Sequence, residues 1–80
     1  MGKIKGLYWI FAVGKRAFGT LRSAKKVAEE QEELAIYLCY MEHEEILYQY
    51  NPMSEKLERV QTVAQAKTKL KEKQRKDLTP

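Results

Sequence analysis

Apolar residues come in three arrangements along this chain. From Leu7 to Leu21 they recur at helical spacing, with Leu7, Ile10, Phe11, Ala17, Phe18 and Leu21 on one broad arc and Lys15, Arg16 and Arg22 off it. This predicts an amphipathic helix over about 4–21. From Leu34 to Met41 the chain reads Leu-Ala-Ile-Tyr-Leu-Cys-Tyr-Met, eight residues without a charge between acidic flanks. The stretch before it, from Ser23, is rich in strong helix formers. The pattern therefore carries a second helix over about 23–50, until Asn51-Pro52 stops it. A strand over Ala35 to Met41 is the competing assignment, since Ile and Tyr favour sheets. It is set aside because both flanks read as helix and no second strand is evident to pair with it. Beyond the proline, Leu57, Val60, Val63 and Leu70 make a thin apolar stripe that predicts a third helix over about 54–76 with a basic tail. The expected fold class is all-α: two to three amphipathic helices in an extended or hairpin arrangement, one small subunit over 1–80 without a large independent core.

A helix through Leu34–Met41 has no solvent face, so part of its cover is expected from other chains. Leu34, Tyr37, Leu38, Tyr40, Met41, Leu47 and Tyr48 are accordingly candidate interface residues. Four of the five tyrosines lie between positions 37 and 50, which suits an interface because tyrosine gives contact area together with a polar rim. In the first helix Leu7, Trp9, Ile10, Phe11 and Phe18 are candidates of the same kind, with Trp9 and Phe11 as aromatic anchors.

Charge sharpens this picture. The net +4 hides three blocks: 1–28 holds seven Lys or Arg and no acid, 29–58 nine acids and one Lys, and 59–80 seven bases and two acids. Lys3, Lys5, Lys15 and Arg16 are candidates for an anionic partner. Trp9 beside lysines suits a helix lying among lipid headgroups, so a membrane surface is an expected contact. A span is excluded there, because only nine uncharged residues separate Lys5 from Lys15. N-myristoylation at Gly2 is a poor match, since the pattern asks for Ser or Thr where Gly6 stands.

Chemistry is sparse. Cys39 cannot make an internal disulfide, being the single cysteine. Cys39 and His43 would share a helix face, but a structural zinc site needs four ligands and the chain has no further Cys or His. No catalytic residue, cofactor site, metal site or small-molecule substrate is expected, and the chain is read as not an enzyme. The expected function is a non-catalytic accessory subunit of a large membrane-associated complex. The basic, acid-free N-terminal stretch has the character of a mitochondrial presequence, which points to a respiratory or ATP synthase assembly of the mitochondrial inner membrane. Its partners are expected to be other protein subunits. The alternative is a small basic subunit of a ribonucleoprotein, with the lysines of 67–76 neutralising phosphates.

Overall fold

The uncharged run that reads as a helix is the central strand of a sheet. The computed structural model describes residues 9–78, over which the chain forms β1 (Ile10–Val13), β2 (Arg16–Phe18), α1 (Leu21–Glu30), β3 (Ala35–Tyr40), β4 (His43–Asn51), β5 (Lys56–Arg59) and α2 (Val63–Leu78). The strands make one antiparallel sheet in the order β2-β1-β3-β4-β5. β3 is paired on both edges, with Leu38 opposite Phe11 on one side and Glu45 on the other. A strand in that place reads as a nearly continuous apolar run, because neither of its faces is fully open to water. Its side chains alternate: Ile36 and Leu38 are fully buried beneath the helices, while Ala35, Tyr37 and Cys39 point the other way and are half-buried.

The expected all-α fold is therefore corrected to a mixed one. Within the predicted helix over 4–21, residues 10–18 are instead a hairpin, and 4–8 lie outside the described residues. The helix predicted to run to residue 50 ends at Glu30, and the third begins only at Val63, after Lys56–Arg59 has paired with β4. Asn51-Pro52 does end an element, but that element is a strand.

Two turns explain how helical periodicity misleads. Gly14-Lys15 closes the first hairpin, and glycine suits its first position: φ is +59°, a conformation strained for a side chain, and an added Cβ would oblige the Glu33 carboxylate, 2.8 Å away, to move. The β3–β4 hairpin turns through Met41-Glu42, with Met41 at φ 58°. Hairpin turns of this length ordinarily carry Gly, Asn or Asp at such a position, so nothing in Tyr-Met-Glu-His announces one.

Both helices pack on the same face of the sheet. Ala24 and Ala28 of α1 and Ala66 and Leu70 of α2 join Phe11, Val13, Ile36, Leu38 and Leu47 in one buried cluster. The small alanines let each helix approach the strands closely. Val13, Ile36, Leu38, Leu47 and Leu70 are the largest fully buried side chains, each contributing about 1.5–3 kcal/mol by burial. The chain's own helices thus cover the Ile36–Leu38 side of β3, where the sequence suggested that other chains would.

Candidate functional site

α2 packs through a narrow stripe and offers the rest of its circumference to solvent. Among residues 63–76 only Ala66 and Leu70 are fully buried. The bases fall into two rows by helical spacing, Lys67, Lys71 and Arg75 on one side and Lys69, Lys73 and Lys76 on the other. Neighbours four apart in a row are separated by about 6 Å along the axis.

Beyond the buried stripe, lysines at two points tie this helix to the sheet. Lys67 Nζ lies 5.2 Å from the centre of the Trp9 ring, and Trp9 is stacked on Tyr40 with centroids 4.1 Å apart and planes 16° from parallel. On the other side Lys73 Nζ donates to the Glu45 carboxylate, whose side chain is 16% exposed. Gln61 Nε2 donates to the same carboxylate at 3.1 Å and to the Ile46 carbonyl at 2.8 Å. The hydrogen bond from Lys73 holds the Glu45 pKa below the ordinary carboxylate value, with help from Gln61 and against partial burial. Glu45 thereby cancels one base of α2, while Lys71, on the other row, is exposed.

The helix openings repeat one local design that the sequence reading missed. Thr20-Leu-Arg-Ser-Ala-Lys and Thr62-Val-Ala-Gln-Ala-Lys share a threonine cap, a buried alanine four residues on, and a lysine after it. Thr20 Oγ1 accepts from Ser23 N at 3.2 Å. Thr62 and Gln65 form a reciprocal capping box, with Thr62 N donating to Gln65 Oε1 at 2.9 Å and Gln65 N to Thr62 Oγ1 at 3.1 Å. Each lysine then rests over an aromatic ring: Lys67 over Trp9, and Lys25 over Tyr48 at 5.0 Å. The threonine-to-lysine spacing at 20–25 and 62–67 was the signal that could have located both helix starts.

α1 is charged against its own dipole. Arg22 and Lys25 occupy its N-terminal half and Lys26 its middle, no acid lies in its first turn and no base in its last, and Glu29 and Glu30 end it. Each misplaced charge costs about 0.3–1 kcal/mol at an exposed helix end.

The sequence-derived candidates scatter. Leu7, Lys3 and Lys5 lie outside the described residues. Phe11, Leu38 and Leu47 are buried in the chain's own core, and Trp9, Phe18, Tyr40 and Tyr48 pack partly against it. Tyr37 lies on the face opposite the helices, as does Ile10, which is 40% exposed. Leu34 and Met41, at the two ends of β3, are exposed. Lys15 and Arg16 are at the tip of the first hairpin rather than on a lipid-facing helix, so the amphipathic helix of the membrane reading is absent over 10–18. No helix among the described residues is long and apolar enough to cross a membrane. The mitochondrial and respiratory expectation finds no support in this fold. Cys39 and His43 point to opposite faces of the sheet, since Cys39 is opposite Glu44 and His43 opposite Tyr40. Burial first, and Glu44 second, push the Cys39 thiol pKa up, the reverse of what an activated nucleophile needs. Among the described residues no group of three or more His, Cys, Asp or Glu is placed to hold a metal ion. No protein-family model, curated protein or solved structure matches this chain.

Proposed function

We propose that this chain is a small non-catalytic binding module that grips the phosphate backbone of nucleic acid through the outer side of α2. The observation that carries the reading is the disposition of that helix: six bases against two acids over Val63–Leu78, arranged in rows and anchored to the sheet through Trp9 and Glu45. An ordered row of cations about 6 Å apart matches a strand of phosphates better than a frayed basic tail does, because less side-chain and backbone freedom is lost on binding. Much of the acidic middle of the sequence, which would repel nucleic acid if interleaved with these lysines, is placed elsewhere in the fold. Glu44 and Glu58 lie on the face opposite the helices, Glu45 is paired with Lys73, and Glu29, Glu32 and Glu33 collect at the far end of α1. A subunit of a ribonucleoprotein fits this surface better than an accessory subunit lying on lipid, because residues 10–18, the expected lipid-facing helix, form a hairpin.

Fluorescence anisotropy with labelled single-stranded and duplex 20-mers of RNA and DNA, titrated between 50 and 200 mM KCl, tests the proposal. Contact with about four phosphates gives a slope of log K against log salt of about −3 to −4 and a loss of about a hundredfold in affinity over that range. Lys71→Gln and Lys76→Gln should each lower the slope by about 1 and weaken all sequences alike. Absence of binding at 50 mM KCl, or binding insensitive to salt and to both substitutions, overturns it.

A further inference from the structure

The helix layer leaves one corner of its own face of the sheet uncovered. α1 ends at Glu30, short of the start of β3 and the end of β4, and there a groove of about 670 Å³ opens between the end of α1 and the β4–β5 turn. Its floor continues the core outward: Ala28 is fully buried, Leu57 partly buried, Tyr50 37% exposed and Leu34 64% exposed. Its banks are acidic, with Glu29, Glu32 and Glu33 on one side and Glu55 beside Lys56 on the other. Next to it, on the β4–β5 turn, Met53 is 93% exposed. That turn is ordered: Met53 N donates to Asn51 Oδ1 at 2.9 Å and Glu55 N to the Asn51 carbonyl at 2.7 Å. The methionine is therefore held out into solvent by the turn.

We infer that this groove is a docking site for a cationic, apolar peptide segment of a partner protein, in which apolar side chains cover Leu34, Tyr50 and Leu57 and flanking lysines or arginines meet the glutamates. Charge complementarity selects the occupant. Glu29, Glu32 and Glu55 against Lys56 surround an apolar floor, with the Glu33 carboxylate lying toward Gly14 of the first hairpin, and the carbonyl end of α1 adds its negative dipole to the same corner. An acidic or neutral apolar segment would cover the same floor and leave that field unanswered. The local backbone carries the same sign of specialisation. Among the described residues, two of the three non-glycine positions with positive φ are the rim glutamates, Glu32 at 54° and Glu55 at 59°, positions where glycine or asparagine is the relaxed choice. The site is distinct from the cationic side of α2, so one end of the molecule holds a protein while α2 holds a polyanion.

The test uses the full chain and a fluorescein-labelled heptapeptide alternating lysine with leucine, followed by anisotropy. The same peptide with glutamate for lysine is the control. The lysine peptide should bind and the glutamate peptide should not. The double variant Glu32→Gln with Glu55→Gln should weaken binding by about threefold to tenfold, with Lys71→Gln without effect. Leu34→Ser, at an exposed position that leaves the core intact, should weaken it by a comparable factor and keeps the test independent of any effect of the glutamate changes on folding. Equal binding of both peptides, or binding indifferent to Leu34→Ser and to the double variant, overturns the proposal. So does concentration-dependent self-association of the chain that Glu33→Lys abolishes, because the occupant is then a second copy.

Discussion

Single residues in this chain are held where their chemistry alone would not put them. Glu32 closes α1 in a Schellman arrangement: it takes φ 54°, Glu33 N donates to the Ala28 carbonyl at 2.9 Å, and Glu32 N donates to the Glu29 carbonyl at 3.4 Å. An L-residue in that region costs about 1–2 kcal/mol, and an acid there also faces the negative end of the helix. Glu32→Gly should stabilise the chain by about 1 kcal/mol after allowing for the extra freedom of glycine in the unfolded state, raising the melting temperature by about 4–8 °C. Thermal denaturation by circular dichroism checks this, and a fall in melting temperature would show that the glutamate makes a contact the strain argument omits. Glu45 gives a second prediction. Its pKa is depressed in the folded chain by the hydrogen bond from Lys73, so its contribution is complete above the unfolded value of about 4.3 and is lost as pH falls through the lower folded value. Stability to urea should therefore decline below about pH 4.5, and Glu45→Gln should flatten that part of the profile while leaving the slope above pH 6 unchanged.

At the scale of elements, the helices and strands differed in how plainly the sequence marked them. The Thr20 and Thr62 caps mark the starts of α1 and α2, yet the sequence pattern placed those starts at about 23 and 54; of the third expected helix, the part over Val63–Leu78 is helical and Lys56–Arg59 is a strand. The sheet was not legible, for two physical reasons. The turn between β3 and β4 is coded by atypical residues, above all Met41 at positive φ, so no turn signal separates the apolar run from the Glu-His-Glu-Glu stretch that follows it. β1 and β2 also happen to place Phe11, Gly14 and Phe18 at spacings of three and four, which a helix would use equally well, while the actual pairing sets Phe11 opposite Phe18. The strand assignment for Ala35 to Met41 failed on the search for a partner, because both partners were hidden inside predicted helices. The lysines of α2 could be seen in the sequence as a candidate surface. The acidic groove could not, since Glu29 to Glu33 and Glu55 are brought together only by the hairpin that returns β4 and β5 to the end of α1.

Across the whole molecule the two chemistries divide by place, with cations along α2 and anions at the far end of α1. One feature of the topology governs how that arrangement comes into being. β1–β2, β3–β4 and β4–β5 are hairpins closed by short turns, whereas β1 meets β3 only across α1, Ile10 pairing with Cys39 and Ala12 with Tyr37. Closing that longer loop costs more entropy than closing any hairpin, so the β3–β4–β5 meander should form ahead of the β1–β3 seam. In chevron analysis Leu47→Ala should slow folding, and Val13→Ala should mainly speed unfolding. The opposite pattern would place the seam in the nucleus. During synthesis the order of events is imposed by the ribosome: β1 and β2 emerge first, and Phe11 and Val13 have no β3 to pair beside until Tyr40 has been made. At about 5–20 residues per second that delay is about 1–5 s, a window in which the first hairpin is the part of the nascent chain most in need of a chaperone.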